Sequence, residues 1–397
     1  MKSFKFRIYP TRKQTETLQW TLDRTRELYN AALQERRDAY KMAGTSINYY
    51  DQANQLPEIK EIREDYKEIH SQVLQDVLRR VDKAMKAFFR RVKSGETPGY
   101  PRFQGRDRYD SFTYPQGGYS LTADNRVCLS KIGSIKVTLH RELQGTMKTC
   151  TIKREGTQWY VVFACFSPLA RKQEVEAEVL PENGEAVGID VGLLHFATLS
   201  TGETIESPRY FRKGEKKLEK LQQALSRKKR GSHRRKKAVQ KVAKAHRKVR
   251  NQRADFLHKE SRHLVNAYGF LVFEELQPAT MSKRAKPKQD AKGAYIPNGA
   301  SAKSGLNKSI NDAGWGQFVQ YCIYKAEDAG RTVAQVNPRY TSQVCSGCGT
   351  VKKKTLDERW HSCECGTELD RDHNAALNIL RLGRSQQLAM AVEAPCL

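Results

Sequence analysis

The chain has 397 residues, enough for two or three domains with cores of their own. Lys and Arg number 71 against 44 Asp and Glu, a formal net charge of +27, which points to a polyanionic partner: nucleic acid first, a membrane surface second. No stretch approaches 18 consecutive apolar residues, which excludes a membrane-spanning helix, and the opening MKSFKFRIYPTRKQ lacks the long apolar region of a secretory signal. Nine cysteines make an odd number, and four of them cluster at metal-ligand spacing. That pattern suits thiolate ligands in a reducing compartment better than a disulfide framework.

Residues 2–9, KSFKFRIY, alternate basic and apolar, as a half-buried strand does. Thr11 then caps a helix, with Gln14 completing a capping box. Leu18, Leu22, Leu28, Tyr29 and Ala32 follow at roughly helical spacing. A second helical stripe, Val73, Val77, Leu78, Val81, Met85 and Phe88, runs within about Tyr66–Val92. Residues 11–95 therefore read as a helical unit. From GETPGYPRF onward the texture changes. Residues 100–180 are rich in Tyr, Phe, Val and Thr, with turns at Gly117-Gly118, Gly133, Gly145 and Gly156. Short, evenly spaced strands predict a small β-barrel or sandwich, which strand 2–9 joins. LPENGE at 180–185 reads as a linker.

AVGIDVGLLHFATLS predicts strand, tight turn, strand, and ETIE a third strand. Residues 209–267 carry two apolar stripes, one of Leu218, Leu221 and Leu225, the other of Ala238, Val242, Ala245 and Val249. Gly231 breaks them within RKKRGSHRRKK, so the region predicts a helical hairpin with a basic tip. GFLVFEEL is a buried strand ending in acids. Residues 278–308, rich in Lys, Ala, Gly and Ser, read as a mobile stretch and a candidate lid. A helix is expected from about Ile310 to Asp328, then the strand RTVAQV.

An acid ending a buried strand needs a partner or a metal. Asp190 follows AVGI, Glu274 follows FLVF, and Asp370 and Asp372 open the helix HNAALNIL. Carboxylates gathered from separate elements hold Mg²⁺, and two such ions serve phosphodiester hydrolysis. The plainer reading of each is a turn cap, or for Asp370 or Asp372 a helix N-cap. Three such placements in one basic chain favour the metal. Cys345-x-x-Cys348 and Cys363-x-Cys365, fourteen residues apart, are suited to one tetrahedral, closed and hence structural Zn²⁺. The second pair is one residue tighter than the usual knuckle, with His361 as a possible substitute ligand. The intervening KKKTLDERW is too short for a core, so zinc would hold that lobe together.

FKFRIYPT, GIDVG, LVFEEL, RYTSQVCSGCG and CECGTELDRDHNAALNIL together resemble the TnpB proteins encoded by bacterial insertion sequences, relatives of the type V CRISPR nucleases. The resemblance is strongest in the C-terminal half. It implies a multidomain α/β protein with a β-barrel, a helical lobe and an RNase H-like (RuvC) nuclease domain holding an inserted zinc ribbon. Residues 1–10 and 96–180 would form a wedge-like domain, 11–95 an inserted recognition lobe, and 181–397 the nuclease domain, with the ribbon at about 340–368. Asp190, Glu274 and Asp372 match the family's catalytic acids, which bind two Mg²⁺. Cys345, Cys348, Cys363 and Cys365 match its structural zinc site. The activity implied is RNA-guided DNA cleavage beside a short DNA motif. The guide would derive from the transposon end, the target would be double-stranded DNA, and the protein would act as a cytoplasmic, nucleoid-associated monomer on one RNA. Arg227, Lys228, Lys229, Arg230, Arg234, Arg235, Lys236 and Lys237 are candidates for phosphate contact. The alternatives are a non-cleaving RNA-guided regulator and a DNA transposase on the same core.

Overall fold

The structure is a computed structural model that describes residues 1–106, 108–166, 185–355 and 358–393. The expected linker at 180–185 lies outside the described residues except for Glu185, as does the end of the β-rich segment. The chain divides into two compact units, Met1–Gln173 and Glu174–Leu397.

In the first unit, β1 (Lys2–Tyr9) leads into α1 (Arg12–Ala43). Thr11 and Gln14 form the capping box, the Thr11 hydroxyl accepting the Gln14 N–H at 3.3 Å and Gln14 Oε1 accepting the Thr11 N–H at 3.0 Å. Two short helices follow, α2 (Tyr49–Asn54) and α3 (Leu56–Ile62), then a 3₁₀ turn, then α4 (Ser71–Lys93). The second long helix thus starts later than its stripe suggested, with Tyr66 buried in the 3₁₀ turn. Six strands complete the unit: β2 (Ser111–Tyr114), β3 (Tyr119–Thr122), β4 (Arg126–Leu129), β5 (Gly133–Thr138), β6 (Thr146–Glu155) and β7 (Gln158–Phe166). They form a seven-stranded sheet in the order β2-β6-β7-β1-β5-β4-β3, with β1 antiparallel to both neighbours. Phe4, Phe6 and Ile8 of β1 share one core with Leu18, Leu22 and Leu33 of α1 and Leu74, Val77 and Val81 of α4. Helices and sheet in this unit are therefore one packed body.

The second unit is built on β8 (Ala186–Val191), β9 (His195–Leu199), β10 (Thr204–Glu206), β11 (Phe270–Glu274) and, after further helices, β14 (Thr332–Val336). Between β10 and β11 stand α5 (Tyr210–Ser226) and α6 (His233–Ala267), a helical hairpin turning at Gly231 (φ +83°). Arg209 at the start of α5 offers no side-chain cap, and Asp312 supplies one from a distant helix. Its carboxylate accepts the Phe211 N–H at 3.0 Å and an Arg253 Nη2 hydrogen at 3.0 Å. The stretch expected to be irregular, 278–308, instead carries α7 (Pro278–Met281), the hairpin β12 (Lys288–Gln289) and β13 (Tyr295–Ile296), and most of α8 (Ala300–Ala313). Polar contacts hold the first half of α8, where Arg212 Nη2 donates to Gly305 O at 2.8 Å and Lys303 Nζ to Met281 O at 2.7 Å, and Ile310 in its last turn joins the core. The helix expected over 310–328 is two helices. Gly314 adopts φ +74° and ends α8, and α9 (Trp315–Asp328) starts afresh.

The five strands order as β10-β9-β8-β11-β14, antiparallel through β8 and parallel from β8 to β14. After β14 come β15 (Trp360–Ser362), β16 (Glu368–Asp370) and α10 (Arg371–Glu393). Helix α10 lies directly on the sheet because two glycines allow it. A Cβ on Gly188 of β8 would stand 2.1 Å from Ala376 O, and one on Gly383 of α10 would stand 2.4 Å from Val272 of β11. Among the described residues no helix is long and apolar enough to cross a membrane.

The contact at Gly188 is with backbone, which cannot swing aside. Gly188→Ala should therefore destabilise the protein by about 1–3 kcal/mol or more, read from denaturant unfolding. Wild-type stability in this variant would mean that α10 does not sit on β8 as described.

Candidate active site and metal centre

The parallel register pairs Phe273 with Ile189, so the next residues, Glu274 and Asp190, stand side by side at the same ends of adjacent strands. Asp372 comes down from the first turn of α10. A Cβ on Gly192 would lie 3.9 Å from Asp372 Oδ2, which fixes that carboxylate beside the turn that follows Asp190. The structure thus brings Asp190, Glu274 and Asp372 to the same end of the sheet, less tightly than the cysteine quartet: their carboxylates do not form a group within 4.8 Å. Asp370 does something else: its Oδ1 accepts the N–H of Asp372 at 2.8 Å and of His373 at 3.3 Å, capping α10. Glu275 points outward and is exposed.

Burial, then the charges of Glu274 and Asp372, push the Asp190 carboxyl well above the usual aspartate range, with Arg371 opposing. Burial also raises Glu274, against a hydrogen bond from Thr341. The Thr341 hydroxyl donates a hydrogen bond to Glu274 Oε1. Arg371 pairs with Asp372 Oδ1 at 3.4 Å. Among the described residues the Asp190 carboxylate has no hydrogen-bond donor and no ion pair. An all-oxygen set in which one carboxylate, Asp190, lacks a donor fits a hard divalent cation.

The cysteines form a separate centre. All four Sγ atoms lie within 4.8 Å of one another, the one such group of metal-ligating side chains among the described residues. Cys345 and Cys365 Sγ are 3.6 Å apart, and Cys348 and Cys363 are 3.5 Å apart. Zn–S bonds of about 2.3 Å in a tetrahedron give edges near ~3.8 Å, so the quartet is sized for zinc. The tight Cys363-x-Cys365 pair closes without difficulty. Burial raises the Cys345 thiol, but the backbone N–H of Cys348 and contacts from His361, Thr367 and Gly347 outweigh it and bring it down to about 5. His361 is fully buried on β15, and the quartet is complete without it as a ligand. β15 and β16 pair from Trp360–Asp370 to Ser362–Glu368, and β16 runs straight into α10.

At the hairpin tip, Arg227, Lys228, Lys229, Arg230, Arg234, Lys236 and Lys237 are exposed. Arg235 is half-buried and braces the tip, its Nη1 donating to Leu225 O at 3.1 Å and Lys228 O at 3.2 Å. The sequence reading did not single out Thr341, Arg371 or Asn378, and it met Asn374 only as the last residue of the Asp-x-Asn element that favoured Asp372.

The fold places a cluster of carboxylates at strand ends and, beside it, a cysteine quartet consistent with a structural zinc. Residues 170–285 match a family model described as "Probable transposase" (OrfB of the IS605 type), and 315–379 match "Cas12f1-like, TNB domain". Residues 1–45 match "Helix-turn-helix domain", although they fold as one strand and one continuous helix. Two relatives bear the name "Putative RNA-guided DNA endonuclease". InsQ of Escherichia coli (strain K12) is 33% identical over 97% of this chain and 93% of its own. The Streptomyces pristinaespiralis protein is 31% identical over 96% and 89%. A solved Cas12f1–sgRNA–target DNA complex aligns over 96% of this chain and 98% of its own at 16% identity, with a TM-score of 0.34. The chain belongs to the TnpB family.

Two outcomes are expected of the centres. Purified protein should retain one zinc per chain by elemental analysis, and Cys365→Ala should lower that content sharply; unchanged zinc would remove Cys365 from the ligand set. A raised carboxyl pKa favours the protonated form in the folded state. Its stabilisation is therefore complete below the ordinary aspartate value near ~3.9 and is lost as pH rises through the raised value. At neutral pH, Asp190→Asn should then raise the melting temperature of the metal-free protein, by about 2–4 °C per kcal/mol of repulsion removed. A lower melting temperature would contradict the crowding of charge at Asp190.

Proposed function

We propose that this chain is an RNA-guided DNA endonuclease. The observation that carries the proposal is the carboxylate centre of Asp190, Glu274 and Asp372, built at the ends of β8 and β11 and under the first turn of α10. The strand order, antiparallel through the acid-bearing β8 and then parallel, supports reading the second unit as an RNase H-like (RuvC) nuclease domain. The names of the full-length relatives support guidance by RNA. The net charge of +27 and the exposed basic tip between α5 and α6 supply the phosphate-binding surface that an RNA–DNA duplex requires.

In this reading Asp190, Glu274 and Asp372 would hold two Mg²⁺, whose chemistry when bound would be activation of water and stabilisation of a leaving oxygen. Thr341 orients Glu274, and Arg371 offsets excess negative charge beside Asp372. The cysteine quartet holds one structural zinc and takes no part in bond breaking. Residues 1–10 and 96–180 serve as the wedge-like part and 11–95 as the recognition lobe. The guide comes from the transposon end, and a short DNA motif is read before pairing. The protein works in the cytoplasm, on the nucleoid, as a monomer on one RNA.

A second reading has one observation in its favour, the "Probable transposase" description of the model matching 170–285. DNA strand transfer needs no bound RNA. In the purified complex, Asp190→Ala should abolish divalent-dependent cutting of matched duplex while leaving RNA-guided binding intact in a mobility-shift assay. Undiminished cutting by that variant would overturn the assignment. Strand joining by a protein free of RNA would favour the second reading.

A further inference from the structure

Residues 341–346 run between the two centres, and every anchor on this segment is a polar group. At one end the Thr341 hydroxyl holds Glu274. At the other, Cys345 is a member of the quartet. Between them, two buried asparagines of α10 grip the backbone. Asn374 Nδ2 donates to Val344 O at 2.8 Å, and its Oδ1 accepts the Ser346 N–H at 2.9 Å. Asn378 Nδ2 donates to Thr341 O at 3.0 Å and to Val344 O at 2.7 Å.

The side-chain amide of Asn374 thus bonds the carbonyl before Cys345 and the N–H after it. That is the pattern a residue of a neighbouring parallel strand would make, so Asn374 stands in for a missing strand. It lies two residues from Asp372 on the same helical turn. Asn378 is one turn further, on the same face. Its Oδ1 is buried with no donor among the described residues, a cost of about 1–3 kcal/mol that an aliphatic residue would avoid. Packing α10 against the sheet does not call for such a group. Fixing the position of segment 341–346 does.

We infer that Asn374 and Asn378 are positioning residues that clip the cysteine ribbon to α10, and that through Thr341 this clip sets divalent-metal affinity at the carboxylates. The inference rests on the metal-binding reading of Asp190, Glu274 and Asp372. It goes beyond that reading in coupling the two centres. The ribbon fixes Thr341 and Thr341 fixes Glu274, while the same helix turn carries Asp372. Loss of the quartet's metal would free Cys345, and the Glu274 carboxylate would lose its orienting donor.

The test measures Mn²⁺ binding by paramagnetic resonance and zinc release to a chromogenic chelator, on intact protein. Asn374→Leu should weaken Mn²⁺ binding by about 10–100-fold, the usual range for residues that orient ligands, and should speed zinc release. Thr341→Val, nearly isosteric, should weaken Mn²⁺ binding several-fold with zinc release unchanged, and Thr341→Ser should restore it. A general packing defect would not be rescued by serine. If wild type binds Mn²⁺ in an Asp190-dependent manner and both Asn374→Leu and Thr341→Val bind it equally well, the coupling is wrong. If wild type shows no Asp190-dependent Mn²⁺ binding, the metal reading itself fails, and the coupling with it. If Asn374→Leu does not fold, the Thr341 pair decides alone.

Discussion

Asp190 and Glu274 stand side by side at the ends of two adjacent parallel strands, with Asp372 pressed toward them from above. Like charges in such a place repel, and burial deepens the penalty by removing water. Two neighbouring side chains answer that repulsion. Arg371 meets Asp372, Thr341 meets Glu274, and Asp190 is left without a donor among the described residues. A folded chain keeps such an arrangement when something else supplies the missing positive charge. The surrounding chemistry points to hard divalent cations as that charge.

Helix α10 is the element on which this depends. It reaches the sheet because Gly188 and Gly383 leave no side chain in the way, and it brings Asp372 with it. It begins where β16 of the cysteine ribbon ends, with Asp370 capping its first turn. One helix therefore touches both centres. Its start is fixed by the ribbon, its body by the sheet, and its two amides by the segment leading to Cys345. The cysteine quartet, consistent with a closed structural zinc site, leaves no place for a substrate, and its ribbon runs directly into the helix that carries Asp372.

Most of the site was legible because its signals are local. An acid directly after a buried apolar run marks a strand end, which located Asp190 and Glu274. Close cysteine pairs mark a metal knuckle. Thr11 with Gln14 marked a helix start, and Gly231 marked the hairpin tip. Choosing between Asp370 and Asp372 was not possible from residue type, since both suit a cap; hydrogen-bond geometry separates them. The rest was hidden because its partners are distant in sequence. Asn374 and Asn378 bond carbonyls about thirty residues upstream, and Thr341 meets an acid 67 residues before it. The polar stretch at 278–308 looked irregular because Arg212 and Lys303 hold the part of α8 that lies within it, and the helix's core residue, Ile310, comes only after it. Arg235, one basic residue among many at the tip, is engaged with the carbonyls of Leu225 and Lys228.

The central claim is that bound RNA directs this carboxylate centre to DNA. The most direct measurement is to sequence the RNA that copurifies with the chain and then present the complex with duplex DNA matching the RNA's variable end. Guidance by RNA predicts a discrete RNA species and Mg²⁺-dependent cutting confined to the matched duplex. Protein that carries no RNA, or a complex that cuts matched and unmatched duplex alike, would contradict it.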